Sequence, residues 1–291
     1  MYNCIVSNTF LRTLGFIILT LTSLTSWQEA FAWNLMVCQK GCNYATIQDA
    51  VNNAQQGDTI HVMPGFYLED IIITGKSLTL KSEDNDRTII NGTGKRPVIT
   101  LSCSDNRTNI RIASLNITGG NAVITDDVFV PTGGGGVSND RCGLVIDDSN
   151  IYGNHALGTG GGVSTGTGSA TIKNTSITNN SASAGAGVDS EGQLLIVNST
   201  INSNHITSQV SAAGGGGVLN RGNLTVRSSN INNNIAGGNC CLGGGIANRS
   251  NSKLTLSGST VANNQGVGII NRGTAEIQHG GFNVQVQRGP F

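Results

Sequence analysis

Short runs in which apolar and polar residues alternate recur along most of this chain. Leu224-Thr225-Val226 and Leu254-Thr255-Leu256 are two of them, and each places an apolar side chain at every second position. A period of two is typical of a β-strand that buries one face. Gly and Asn interrupt these runs every few residues, so the pattern predicts many strands of about three to five residues.

The N-terminal third shows the same alternation after one helical segment. Residues 46–54 are predicted to form a short helix, because Thr46 and Asp49 match a capping box and the apolar residues share one face. We expect this helix to cover the open end of a stack of strands. The strands predicted here are 59–62, 71–74, 78–81, 88–91, 98–101 and 110–117, with Pro64-Gly65 among the turns that separate them.

A glycine motif repeats through the second half of the chain. Its copies begin about 23 to 30 residues apart, which is typical of a solenoid. The copies are Gly134-Gly135-Gly136-Val137, Gly160-Gly161-Gly162-Val163, Gly185-Ala186-Gly187-Val188, Gly215-Gly216-Gly217-Val218, Gly243-Gly244-Gly245-Ile246 and the divergent Gly266-Val267-Gly268-Ile269. A phosphate-binding loop is disfavoured, because such a loop opens a helix and occurs once.

A second motif follows each of the first five copies and ends in Asn. Its copies are Ile151-Tyr152-Gly153-Asn154, Ile177-Thr178-Asn179-Asn180, Ile201-Asn202-Ser203-Asn204, Ile231-Asn232-Asn233-Asn234 and Val261-Ala262-Asn263-Asn264. Stacked coils would align the Val or Ile of the glycine motif in one buried column and the first residue of this motif in another. The final Asn residues are predicted to form an internal ladder of side-chain amides.

Composition narrows the class of protein. Gly provides 41 of 291 residues, charged residues 12% and aromatic residues 4%. These values disfavour salt-bridged helices and an aromatic core, while 37% hydrophobic residues exclude a disordered chain. Because 17 basic residues balance 17 acidic ones, we expect no nucleic acid as partner.

The first 32 residues are predicted to be a secretory signal peptide. An apolar run over residues 14–24 follows Arg12 and leads to Ala30-Phe31-Ala32, a small-x-small cleavage signature. An uncleaved membrane anchor is the alternative, but a span needs about 20 apolar residues. We therefore expect a secreted, extracellular or cell-surface protein with no membrane span after signal removal, a periplasmic location being the alternative.

Six cysteines remain once Cys4 leaves with the signal peptide. An even number in an exported chain permits a closed set of disulfides, with 15 possible connectivities. Their spacing does not match a zinc site, and His155 and His205 are predicted to be solvent-facing turn residues two coils apart. We expect no metal and no cofactor.

The N-terminal region resembles the right-handed parallel β-helix repeat proteins, which include the pectate-lyase-like fold. The resemblance lies in Tyr44-Ala45-Thr46-Ile47-Gln48-Asp49-Ala50, Gly57-Asp58-Thr59-Ile60, Pro64-Gly65-Phe66-Tyr67 and Lys76-Ser77-Leu78-Thr79-Leu80. The paired Gly and Asn motifs are similar to the repeats of polymorphic outer membrane proteins. The resemblance implies an all-β, single-domain solenoid of roughly eight or nine coils. It leaves function open, since this fold serves lyases, hydrolases, esterases, epimerases and adhesins.

The predicted organisation follows from the motifs. Residues 1–32 form the signal peptide, 33–43 an N-terminal segment, 44–277 the right-handed parallel β-helix with a short capping helix, and 278–291 a C-terminal tail. Residues 121–132 are predicted to be a loop that protrudes from one coil.

Acidic residues that could serve catalysis are few. Asp126 and Asp127 lie in the predicted loop, and Asp147 and Asp148 are adjacent on a strand, where Lys173 one coil away would pair with Asp147. Asp189 and Glu191 could share a face, but their register neighbours Ser164 and Leu219 supply no further acid. Catalysis by a polysaccharide lyase, epimerase or hydrolase acting on uronate polymers therefore stays the alternative function. Ca²⁺ would be its cofactor only if it were a lyase.

Three arginines occupy equivalent places in successive coils. After the inward-facing Val or Ile of a coil, the chain reads Leu219-Asn220-Arg221, Ala247-Asn248-Arg249 and Ile270-Asn271-Arg272. Stacked like charges repel unless they are splayed, screened or met by an anion, so these residues are either solvated turn tips or a basic stripe. A guanidinium fork suits the carboxylates or sulfates of a polysaccharide. The sequence thus favours a non-catalytic exported protein that binds glycans or a cell surface through its lateral face.

Overall fold

The alternating runs stack as parallel strands, coil upon coil. The computed structural model describes residues 34–123, 133–208, 214–237, 243–278 and 286–287. The predicted signal peptide, the Asp126–Asp127 pair, Cys240 and Cys241 lie outside these ranges. Within them the chain forms a right-handed parallel β-helix of about 8 turns with one short α-helix, which confirms the predicted fold class.

Four parallel sheets, labelled A to D, form the walls of the solenoid. A coil in the middle of the solenoid passes through sheet C first, then through sheets A, B and D. Sheet A consists of Asn34–Val37, Thr59–Val62, Leu78–Ser82, Asn109–Ala113, Gly143–Asp147, Ser169–Lys173, Gln193–Val197, Asn223–Arg227, Lys253–Ser257 and Thr274–Gln278. Sheet B consists of Gly65–Leu68, Thr88–Asn91, Asn116–Thr118, Asn150–Tyr152, Ser176–Thr178, Thr200–Asn202, Asn230–Asn232 and Thr260–Ala262. Sheet C consists of Ile71–Thr74, Ile99–Ser102, Val137–Asn139, Val163–Thr165, Val188–Ser190, Val218–Asn220, Gly243–Asn248, Val267–Asn271 and Val286–Gln287. Sheet D consists of Asn121–Ala122, His155–Thr159, Ser181–Ala184 and His205–Ile206, and a 3₁₀ turn covers Asn85–Arg87.

The two predicted apolar columns are confirmed. In sheet C, Val137 pairs with Val163, and the column continues through the expected residues to Ile246. In sheet B, Ile151 heads the second column, which ends at Val261. All these side chains are buried, so the interior is a continuous aliphatic core that no single coil could form.

The predicted asparagine ladder is also confirmed. Asn154, Asn180, Asn204, Asn234 and Asn264 stack at the turn after sheet B. Each Oδ1 from Asn180 onward accepts both the backbone N–H and the side-chain amide of the preceding Asn, at 2.9 to 3.0 Å. The amide of Asn204 also donates to the carbonyl of Ile177 at 3.0 Å. The ladder satisfies polar groups that would otherwise be buried without partners.

The glycine motif allows a left-handed backbone conformation and a close approach between neighbouring coils. Its first residue has a positive φ in five of the six copies, as at Gly160 (68°). A Cβ on Gly187 would lie 2.5 Å from the carbonyl oxygen of Gly217 in the next coil. The structure therefore gives these glycines a structural role.

The capping helix spans Ile47–Asn53, within the predicted range. Thr46 Oγ1 accepts the Asp49 N–H at 3.1 Å, as the capping box predicts. Glu69 also caps the helix, because its carboxylate accepts the N–H groups of Ile47 and Gln48 at 3.0 Å each. Ile47, Ala50 and Val51 are buried, so the apolar face closes this end of the core.

Several segments outside the predicted strands also join the sheets, among them Asn121–Ala122 from the predicted protruding loop and Val286–Gln287 from the predicted C-terminal tail. Gly65–Leu68, which includes a predicted turn, is a strand because Tyr67 points inward and donates a hydrogen bond to the carbonyl of Met63 at 2.7 Å. Asn34–Val37, in the predicted N-terminal segment, pairs with Thr59–Val62. The described residues include the disulfides Cys38–Cys42 and Cys103–Cys142, both in the N-terminal half.

Candidate functional site

A polar groove lies on the outer face of sheet C, beside the turn that leads into sheet A. Its volume is about 450 Å³. The chain reaches it from five successive coils, because most of the lining residues lie on or just after five neighbouring strands of sheet C, from Ile99–Ser102 to Val218–Asn220. The lining residues include Thr100, Ser138, Asn139, Asp140, Thr159, Ser164, Thr165, Asp189, Glu191 and Arg221.

Asp189 is the central acid of this groove. It occupies an outward position of Val188–Ser190, yet its side chain is only 2% exposed. Its Oδ2 accepts hydrogen bonds from Thr159 Oγ1, at 2.6 Å, and from Arg221 Nη2. Its Oδ1 is buried and has no hydrogen-bond partner among the described residues.

Burial raises the pKa of Asp189 above its usual value. The Arg221 charge and the Thr159 hydrogen bond oppose this change, and the negative charge of Glu191 adds to it. Desolvation therefore outweighs the two stabilising contacts, and Asp189 holds a proton more readily than an exposed carboxylate would.

Arg221 links two of the three acids that line the groove, the third being Asp140. Besides its contact with Asp189, its Nη2 lies 3.3 Å from Glu191 Oε1, and its side chain is 33% exposed. Glu191 is 48% exposed, so this second ion pair is partly solvated. The same nitrogen of one guanidinium thus contacts a buried carboxylate and an accessible one.

The sequence places Asp189 between Ser164 and Leu219, and this register is confirmed. What sequence reasoning missed is the diagonal contact, because Arg221 comes two residues after Leu219 and folds back over the strand edge. Thr159 reaches the same carboxylate from the end of a sheet D strand. A search for diagonal neighbours around each acid would have found Arg221.

The three predicted arginines occupy one corner of the solenoid, between sheets C and A. The strands before them align Asn220 with Asn248 and Asn248 with Asn271. These asparagines form a second ladder, in which Asn220 Nδ2 donates to Asn248 Oδ1 at 2.6 Å and Asn248 Nδ2 donates to Asn271 Oδ1 at 2.7 Å. The ladder fixes the backbone from which Arg221, Arg249 and Arg272 project.

Arg249 is the middle residue of this stripe. Burial, followed by the positive charges of Arg272 and Arg221, lowers its pKa below the usual value. Three guanidinium groups therefore lie close enough to affect one another, as the register of the coils predicts. Their role in binding a ligand stays a prediction.

The other predicted acids lie elsewhere. Asp147, at the end of a sheet A strand, accepts hydrogen bonds from Arg111 Nη2 at 2.5 Å and from Asn174 Nδ2 at 3.2 Å, and Lys173 Nζ lies 3.2 Å away. Burial alone would raise the pKa of Asp147, but these three contacts outweigh it and lower the pKa. This environment stabilises the charged form and leaves Asp147 as part of an ion-pair cluster.

Asp148, next along the chain, points the other way. Its backbone has a positive φ of 48°, and its Oδ2 accepts a hydrogen bond from Ser114 Oγ at 3.1 Å. Asp126 and Asp127 lie outside the described residues. The described acids at the predicted positions thus do not form a paired acid site with one another.

The described residues contain no cluster of metal ligands and no membrane-spanning helix. Among them, no three or more His, Cys, Asp or Glu side chains group as they would around a metal ion. None of the helices in the part of the chain that the structure describes has the length and hydrophobicity to cross a membrane.

Comparison with known proteins shows the fold. No family model matches the chain, and no curated protein matches its sequence. Among solved structures, a pectin methylesterase from Aspergillus niger is 15% identical, with a TM-score of 0.51 and 86% of each chain covered. A pectin methylesterase from carrot is 11% identical, with a TM-score of 0.51 and coverage of 88% of this chain and 84% of that one. At such low identity the likeness is one of architecture, and the chain has the right-handed parallel β-helix fold of these structures.

Proposed function

We propose that this protein is exported and binds acidic glycans through the corner between sheets C and A. The observation that carries the proposal is the stacking of Arg221, Arg249 and Arg272 on one ladder of asparagines. Like charges at adjacent coils repel, and the lowered pKa of Arg249 reflects that repulsion together with burial. A polymer with carboxylate or sulfate groups would offset this repulsion through charge-assisted hydrogen bonds.

The fold and the covalent chemistry support this proposal. Disulfides are typical of exported proteins, and two are present in the described residues. The neighbours named as pectin methylesterases act on pectin, a polysaccharide, through the same architecture. Because a shared fold does not carry function, the proposal depends on the arginines themselves.

Catalysis is a second candidate, favoured by the Asp189–Glu191 pair. A glycoside hydrolase uses two carboxyl groups, one with a raised pKa as acid and one as base or nucleophile. Asp189 has the raised pKa, and Glu191 shares the guanidinium of Arg221. However, a side chain that is 2% exposed cannot reach a glycosidic oxygen without movement. The geometry therefore supports binding better, with Asp189 as the anchor of Arg221.

Retention on immobilised polygalacturonate tests the proposal. The wild-type protein should be retained at low ionic strength and should elute as salt is added, since each exposed ion pair contributes only about 0 to 1 kcal/mol. The variant with Arg221, Arg249 and Arg272 replaced by Ser should lose retention. Replacing exposed Lys95 with Gln controls for net charge and should leave retention unchanged.

Flow-through of the wild-type protein at low salt would contradict glycan binding, as would equal retention of the triple variant. Release of unsaturated or reducing ends from polygalacturonate, lost in Asp189→Asn and Glu191→Gln, would instead establish the catalytic alternative.

A further inference from the structure

A second groove lies on the outer face of sheet A, around the corner from the first. Four successive strands form its floor: Ser169–Lys173, Gln193–Val197, Asn223–Arg227 and Lys253–Ser257. Its volume is about 590 Å³, which exceeds that of the sheet C groove. Neither the arginine stripe nor the Asp189 cluster occupies it.

The side chains that face this groove are mostly neutral hydrogen-bonding groups. Burial alternates along each strand, so that Thr171, Thr225 and Thr255 point outward while their neighbours are buried. The amides of Gln193 and Asn223 lie at the strand starts. This mixture of hydroxyl and amide groups suits a ligand that is rich in hydroxyl groups.

The four floor strands of the groove carry positive charge and no negative charge, and the nearest acids of the sheet lie on the flanking strands, Asp147 beside Lys173 and Glu276 beside Thr255. None of its four strands contains an acidic residue, whereas Arg227 and Lys253 are both exposed. Among the described residues, neither side chain has a carboxylate within ion-pair distance. Their register neighbours are uncharged, because Arg227 aligns with Val197 and Ser257 while Lys253 aligns with Asn223 and Thr274.

Other cations of the solenoid are used differently. In an earlier coil of the same sheet, Arg111 and Lys173 both contact Asp147. In sheet C, Arg221 contacts Asp189 and Glu191. The positive charges of Arg227 and Lys253 thus remain unneutralised within the described part of the chain, on a surface built to make hydrogen bonds.

The two cations lie at opposite ends of adjacent strands. Lys253 begins one strand and Arg227 ends the one before it, so strand geometry separates their Cα atoms by about 14 Å along a diagonal. Asn223 follows Arg221 by two residues, and Lys253 follows Arg249 by four. The groove is therefore continuous with the arginine corner.

We infer that the sheet A groove binds a segment of an acidic, linear polysaccharide. Arg227 and Lys253 pair with two of its anionic groups, and the threonines and amides bond its hydroxyl groups. A single-stranded nucleic acid fits less well, because no aromatic side chain lines the groove to stack a base. The inference rests on the proposed function for the class of ligand and assigns a separate surface to it.

The test compares the affinities of the wild type and four variants, one of them the triple Ser variant of the arginine stripe, for a fluorescent polygalacturonate oligosaccharide, measured by anisotropy at low salt. Replacing Arg227 and Lys253 together with Gln should weaken binding about fivefold or more, because two charge-assisted contacts are lost. Lys95→Gln removes an exposed charge elsewhere and should bind as the wild type does. Thr225→Glu, which puts an anion between the two cations, should also weaken binding. Unchanged melting temperatures would exclude unfolding as the cause.

The outcomes separate this inference from the proposed function. If the Gln double variant binds normally while the arginine-stripe variant does not, the sheet A inference is wrong and the proposed function stands. If only the Gln double variant and Thr225→Glu lose binding, the sheet A groove is the glycan site and the arginine stripe is not. Absence of binding by the wild type overturns both, and equal affinity for a single-stranded oligonucleotide overturns the choice of a polysaccharide.

Discussion

Arg221 donates a hydrogen bond to the buried carboxylate of Asp189 across the boundary between two coils. The contact joins an acid that is 2% exposed to a cation that is 33% exposed. Because Asp189 also accepts a hydrogen bond from Thr159 in the coil before it, the carboxylate bridges three turns of the solenoid. The contact holds one guanidinium of the stripe against the protein.

The raised pKa of Asp189 predicts a specific pH dependence of stability. The folded state holds the Asp189 proton more tightly than the unfolded state does, so the folded state binds more protons in the range above the usual aspartate pKa. The stability of the wild type relative to Asp189→Asn should therefore decrease as pH rises through that range. Thermal unfolding of both proteins between pH 3.5 and about 7.5 checks this.

The comparison of the wild type with Asp189→Asn can also contradict the raised pKa of Asp189. If the wild type gains stability over Asp189→Asn as pH rises, the Arg221 charge dominates over desolvation and the carboxylate is ionised in the folded state. Arg221→Gln should enlarge the pH dependence, because it removes the charge that opposes protonation of Asp189.

Asp147 should show the opposite dependence. Its pKa is lowered because three contacts outweigh its burial, so the unfolded state binds more protons as pH falls. The stability that Asp147 contributes should be present above the usual aspartate pKa and lost as pH falls through the lowered value. Asp147→Asn should cost about 1 to 3 kcal/mol at neutral pH, since Arg111 and Lys173 would face each other without a carboxylate. Urea unfolding at pH 7 and pH 3 measures both effects, and an equal cost at the two pH values would contradict the assignment.

The sequence predicts the repeating part of this structure because every coil must bury the same strand faces and satisfy the same buried backbone groups. Val163 and Val188 must lie in register, since a slip of one residue would turn each strand inside out. Asn180 and Asn204 must stack, since their turn buries backbone groups that need partners. Residues at equivalent positions of successive sequence repeats therefore contact each other in the structure.

The candidate site follows no such repetition. Asp189 and Arg221 each occur once at their position in the coil, and their contact depends on a side chain that reaches diagonally past Leu219. The strand Gly65–Leu68 is not predicted, because Pro64-Gly65 is typical of a turn. The buried side chain that places this segment in the sheet is that of Tyr67. Contacts that occur once depend on how far one side chain extends, and the repeat pattern of the sequence does not show this.

The asparagine ladder should be essential to stability. Replacing Asn204 with Leu removes its side-chain bond to Asn234 and leaves the backbone N–H of Asn180 without an acceptor, while the Asn180 amide keeps only its bond to the carbonyl of Ile151. We expect a loss of about 1 to 3 kcal/mol in the free energy of unfolding. Asn230→Leu, at an exposed position of the same sheet, is the matched control and should change stability far less. Urea denaturation compares the two variants, and equal midpoints would contradict a structural ladder.

Substitution of Gly187 tests whether the coils must lie as close together as the structure shows. A Cβ at this position would lie 2.5 Å from the carbonyl oxygen of Gly217, 2.8 Å from Ile201 Cγ2 and 3.0 Å from Asn204 Nδ2. The first of these contacts is with backbone, so a methyl group can be accommodated only if two coils move apart. Gly187→Ala should therefore destabilise the protein by about 1 to 3 kcal/mol or more.

Gly75→Ala separates this packing effect from the general effect of adding a Cβ. Gly75 has a positive φ of 63°, and a Cβ there would meet nothing within 4 Å. Its substitution should cost only the strain of a left-handed alanine, on the order of 1 to 2 kcal/mol. Denaturation midpoints of the two variants decide between the effects. If Gly187→Ala costs no more than Gly75→Ala, the coils can separate at little cost, and the glycine motif serves backbone conformation alone.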